Sequence, residues 1–136
     1  MIERPSGVGP HETRELELML KGSKPLSMFY DVIPASIKLP EDDFEPYVQT
    51  GQFVKQEFQI VLAKGGYKMR YLYYALPTEA WRIEALHTIT KETMEGIRPS
   101  TDDDEREIGS LLGYKKDDVE IYIDWINESK KASERS

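Results

Sequence analysis

The chain holds two histidines, His11 and His87, and His87 follows Glu84 by three residues. On a helix that spacing puts a carboxylate and an imidazole on one face. Such a pair can move protons near neutral pH once its surroundings tune both groups. Pairs at this spacing are also common on ordinary helix surfaces, so the sequence assigns no catalytic residue here. His11 sits at the start of a helical pattern, where a solvated imidazole is the plain reading. Tyr67, Tyr71, Tyr73 and Tyr74 are interleaved with Lys68 and Arg70, a composition that single-strand binders use to stack bases. Period-2 alternation, however, separates Tyr67, Tyr71 and Tyr73 on one side from Lys68 and Arg70 on the other. Core tyrosines with hydroxyls at a rim are the simpler account.

Other chemistries find few residues to use. Cysteine is absent, which removes disulfides, thiolate metal sites and thiol nucleophiles. The runs Glu41-Asp42-Asp43 and Asp102-Asp103-Asp104 lack the alternating oxygen ligands and central glycine of a calcium loop, so no metal is expected. No phosphate-cradling glycine motif or serine nucleophile elbow occurs, and no cofactor is implied. Residues 102–128 contain ten acidic side chains against three basic ones, so this segment alone accounts for the whole net charge of −7. Phosphate binding rests on Lys and Arg, so nucleic acid is not an expected partner.

The elements that would position these residues centre on 53–76. Two alternating runs flank Ala63-Lys64-Gly65-Gly66, and Gly-Gly supplies the positive φ angles of a tight hairpin turn. Pairing Leu62 with Tyr67 puts Val54, Gln56, Phe58, Ile60 and Leu62 on one face with Ala75, Tyr73, Tyr71, Met69 and Tyr67. Lys55, Glu57 and Gln59 then share the opposite face with Tyr74, Leu72 and Arg70, and a one-residue slip would mix the two sets. Strand alternation recurs over 26–33. Residues 34–50, with Pro34, Pro40 and Pro46, read as a long loop with at most a helical turn.

Helices are expected at 12–21, 79–94, 102–112 and 117–128. The 79–94 helix has Thr78 as N-cap and Trp81, Ala85, Leu86 and Ile89 as its stripe, although alternation also permits a strand there. Thr101 is a capping residue with acids in the first turn, and Gly113 is a stop. The last two helices form an αα-hairpin. It is no DNA reader, because its second helix opens with Asp117-Asp118.

The fold class is therefore α+β: an antiparallel sheet built on the 53–76 hairpin, packed by helices, with a C-terminal αα-hairpin. At 136 residues the chain is one domain over 11–128, with a flexible lead-in at 1–10 and a disordered tail at 129–136. Met1–Pro5 shows no apolar signal core, and no run is long enough to span a membrane. Together with the missing cysteines, this places the protein in the cytoplasm.

The function expected first is a small acidic interaction module, an inhibitor, immunity-type protein or adaptor, without catalytic activity. Its protein partner would dock on an outer-face patch of Phe53, Leu72 and Tyr74 and on Asp117, Asp118 and Asp124, and a hairpin edge could pair two copies as a homodimer. The alternative is a ligand-binding protein or enzyme with a cleft lined by Tyr71, Tyr73, Arg82, Glu84 and His87.

Overall fold

The computed structural model describes residues 14–135; His11 and the expected lead-in at 1–10 lie outside them. Elements run α1 (Glu15–Leu20), β1 (Leu26–Val32), α2 (Glu41–Gln49), β2 (Val54–Val61), β3 (Lys68–Ala75), α3 (Trp81–Met94), α4 (Asp102–Leu112) and α5 (Lys116–Arg135). The fold is α+β, with an antiparallel sheet in the order β1-β3-β2. No helix among the described residues is long and apolar enough to cross a membrane.

The hairpin takes the register that burial demands: Val54 faces Ala75, Gln56 faces Tyr73, Phe58 faces Tyr71 and Ile60 faces Met69. Leu62 N–H donates to the Tyr67 carbonyl at 2.8 Å, and Gly65 and Gly66 turn the chain at φ 83° and 66°. β1 lies on the other side of β3 and puts Leu26, Met28, Tyr30 and Val32 opposite Ala75, Tyr73, Tyr71 and Met69. β3 is thus the central strand, and six of its residues face helices rather than water.

Both sheet faces are covered. On the inner face Tyr71, Tyr73, Ala75 and Ile60 pack with Ile83, Leu86 and Ile89 of α3 and Leu111 and Leu112 of α4. On the outer face Leu72 and Tyr74 pack with Phe53, Phe44 of α2 and Met19 of α1. The patch expected to meet a partner is therefore interior: Phe53 is 3% exposed, and Leu72 and Tyr74 are 0%. The reason is α2, which forms where a long loop was expected. Its first turn holds Glu41, Asp42 and Asp43 at the positive end of the helix dipole. Pro46 costs one backbone hydrogen bond, and the Phe44 ring stacked on Tyr74 at 4.3 Å offsets that loss. Arg70, the charge at the end of this face, is held by Glu41 (2.5 and 2.6 Å) and Glu57 (2.7 Å).

Three local expectations need correction. Thr78 does not cap α3; it lies in a 3-10 turn, Pro77–Glu79, and α3 starts at Trp81. The buried stripe of α3 is Ile83, Leu86, Ile89 and Thr90, whereas Trp81 is 59% exposed. Rotating the helix this way seats the β-branched Ile83 on the sheet and leaves the indole under the Arg82 guanidinium, 4.8 Å away. α5 also runs past the end expected for it at 128, to Arg135.

The start of α4 follows its sequence signal. Thr101 Oγ1 accepts from Asp104 N–H at 3.2 Å while the Asp104 carboxylate accepts from Thr101 N–H at 2.9 Å, a reciprocal cap. Arg98 grips the same carboxylate at 2.7 and 2.9 Å. The guanidinium, foremost, and the Thr101 groups hold the Asp104 carboxyl at about 2, against an ordinary 3.8.

Two outcomes follow. Tyr74 Oη is buried without a hydrogen-bond partner among the described residues, so Tyr74→Phe should leave urea-unfolding stability unchanged or raise it by up to ~1 kcal/mol. A loss of more than about 1 kcal/mol would reveal a partner for the hydroxyl. The Asp104 pair stabilises the fold above pH about 4 and is lost as pH falls toward 2, because the unfolded carboxyl takes its proton first. Asp104→Asn should cost ~1 kcal/mol at pH 7 and flatten that acid limb in denaturation curves measured at pH 2–5.

Candidate functional site

The inner sheet face is not completely filled by its helices. Between it and α3, α4 and α5 lies a cleft of about 590 Å³. Met28 and Tyr30 of β1 and Met69 and Tyr71 of β3 form its floor, placed there by strand alternation. Thr90, Thr93 and Met94 form the α3 wall. The hydroxyls of both threonines donate back to their own helix, Thr90 to the Leu86 carbonyl at 2.9 Å and Thr93 to the Ile89 carbonyl at 2.8 Å. With those hydroxyls committed, the wall is mainly hydrocarbon. Ile108, Gly109 and Leu112 of α4 and Val119 and Tyr122 of α5 form the far side. A Cβ on Gly109 would collide with Val119 Cγ2, so only glycine lets α5 come this close and complete the wall.

A few polar groups enter this apolar space. Lys24, between α1 and β1, is 3% exposed. Its Nζ donates to the Leu112 carbonyl at 3.0 Å and sits 4.7 Å over the Tyr114 ring. Burial pulls its pKa down to about 8, with Glu15 of α1 pulling the other way. Glu105 also lines the cleft; burial, reinforced by Asp104, pushes its carboxyl upward, against Lys130 and the Ser100 hydroxyl. Burial also pushes the Tyr71 hydroxyl up to about 12, so it keeps its proton and can donate. Tyr30 stacks on Tyr71, ring centroids 5.4 Å apart, and is 53% exposed at the rim. The arrangement suits a molecule with an apolar body and one or two polar atoms. Among the described residues no three His, Asp or Glu side chains are grouped as a metal site requires.

Of the five residues expected to line a cleft, only Tyr71 does so. Tyr73 is buried, and its hydroxyl bonds His87 Nδ1 at 3.0 Å behind the cleft. His87 stacks flat on Phe58, 3.8 Å between centroids, and burial lowers its pKa, leaving it neutral at pH 7. Glu84 is exposed on α3 and makes no hydrogen bond to His87. Arg82 is committed to Glu79 at 2.6 Å and to the Ser110 and Leu111 carbonyls at 3.0 and 3.2 Å, closing the C-terminus of α4. Asp117 and Asp124 are exposed on α5 and Asp118 is half-buried. Lys24, Glu15 and Glu105 escaped sequence reasoning because they come from three separate elements. The usable signal was in β1, whose alternation aligns Met28 and Tyr30 with Tyr71.

No family model matches the chain, and neither a curated protein nor a solved structure matches it.

The buried amine makes stability depend on alkaline pH. The folded chain gives up the Lys24 proton near pH 8, whereas the unfolded chain keeps it to about 10.5. The penalty for burying the charge is therefore relieved as pH rises through that window. Relative to Lys24→Met, the wild type should gain up to about 3 kcal/mol between pH 8 and 10.5 in chemical denaturation. Parallel curves for the two proteins would contradict the burial of this charge.

Proposed function

We propose that the protein binds a small, largely apolar ligand in the cleft between the inner sheet face and helices α3–α5. The observation that carries this reading is the space itself. Protein interiors pack to crystal-like density, yet about 590 Å³ stays open here, within the range of small-molecule sites. Its walls are mostly methionine, isoleucine, leucine, valine and tyrosine side chains, and few polar groups, chiefly Lys24, Glu15, Glu105, Ser100 and the threonine and tyrosine hydroxyls, enter it. The ligand is accordingly ring-bearing or branched, with a polar group at one end.

A protein-docking role through the acidic segment has less support. Its apolar half, Phe53, Leu72 and Tyr74, is buried. Part of its charge is paired within the chain, Asp104 with Arg98 and, at the surface, Asp103 and Glu120 with Arg106.

The test uses 2-naphthalenemethanol as probe, followed by thermal shift and tryptophan fluorescence. The wild type should gain several degrees in Tm at saturation. Ile108→Trp, which fills the cleft, should weaken binding at least tenfold while circular dichroism stays native. His87→Ala, away from the cleft, should bind as the wild type does. Equal affinity in wild type and Ile108→Trp would place the probe elsewhere and end the proposal.

A further inference from the structure

We propose that Lys24 anchors a carbonyl-bearing ligand covalently: its Nζ adds to an aldehyde or ketone carbon held in the cleft and forms an imine. This rests on the ligand-binding reading above and deepens it by naming the reactive group of the ligand.

Three features of the geometry support the assignment. Lys24 is almost wholly buried, yet it stands in the wall of an open cleft. Most lysines reach water, and a buried one needs a reason. Its Nζ is oriented by one carbonyl, that of Leu112, and by the Tyr114 ring. Among the described residues no carboxylate lies within ion-pair distance of it. A structural lysine is normally held by such an ion pair, which would also keep it protonated and unreactive. Burial instead favours the neutral amine, the form with a lone pair to give.

The surroundings fit the reaction. The Nζ lone pair forms the C–N bond as the carbonyl π electrons move to oxygen, which takes a proton; nitrogen loses one. The carbinolamine hydroxyl is then protonated and leaves as water while the C=N bond forms, and the iminium nitrogen gives up its second proton. Amine and carbonyl thus yield imine and one water, with no change in oxidation state. The Tyr71 hydroxyl, which burial keeps protonated, lines the same cleft and can supply a proton. The hydrocarbon of Met28, Met69 and Leu112 limits the return of water that would hydrolyse the imine.

The full chain is incubated with 2-naphthaldehyde and sodium cyanoborohydride, which reduces an imine to a stable secondary amine, and is then mapped by peptide mass spectrometry. Lys24 should be labelled at least tenfold faster than exposed lysines such as Lys64 and Lys68. Lys24→Arg should lose that adduct. On the wild type alone, excess 2-naphthalenemethanol should slow labelling of Lys24 and leave Lys64 unaffected, a result that does not depend on any variant folding. Labelling spread evenly over exposed lysines, with the alcohol still bound, overturns the anchor and leaves the cleft reading standing. Failure of the alcohol to bind as well overturns both.

Discussion

The architecture depends on β3 being apolar on both faces. Along Lys68–Ala75, alternation sends Met69, Tyr71, Tyr73 and Ala75 to one side of the sheet and Leu72 and Tyr74 to the other. Such a strand must be central and covered twice, so β1 and β2 flank it and helices close both faces. The two coverings differ in kind. The outer one is built from rings, with Phe44 on Tyr74 and Phe29 and Phe53 at their edges. Aromatic contact there fills the layer, and the Arg70 cluster with Glu41 and Glu57 closes its polar end.

The inner covering is looser. α3 seats Ile83, Leu86 and Ile89 on the sheet, and α4 reaches it through Leu111 and Leu112. α5 leans on α4 at Gly109 and Val119 rather than on the sheet itself. A sheet half covered by one helix, with two more approaching from the side, leaves a wedge over β1 and β3. Lys24 occupies its edge because the turn after α1 must pass beneath the end of α4, where the Leu112 carbonyl lacks a helical partner. The lysine fills that role at the cost of burying an amine, and this links the capping of a helix to the chemistry of the cleft.

How far this could be read from the sequence depended on the range of each interaction. The hairpin register was legible because a one-residue slip would move every side chain to the wrong face. The Thr101–Asp104 cap was legible because both partners lie within one turn. α2 was missed because Pro40 before it and Pro46 inside it argue against a helix locally, and only the distant contact of Phe44 with Tyr74 reverses that. Placing Phe53, Leu72 and Tyr74 on a free surface was the same error, seen from the sheet. The α3 stripe was misjudged because Trp81 outranks Ile83 in hydrophobic size, while a sheet packed against a helix favours the smaller branched side chain. The cleft itself has no sequence signature: it is a gap between elements, and Lys24, Thr90, Ile108 and Tyr71 are widely separated in the chain.

The methionines allow the claim of an inner-face ligand cleft to be examined within one molecule. Met28 and Met69 line the cleft, whereas Met19 is buried under the outer face. Carbon-13 methyl spectra of methionine-labelled protein, recorded during titration with 2-naphthalenemethanol, should show ring-current shifts at Met28 and Met69 and a stationary Met19. Shifts at Met19 as large as theirs, or no shift at either Met28 or Met69, would contradict the account.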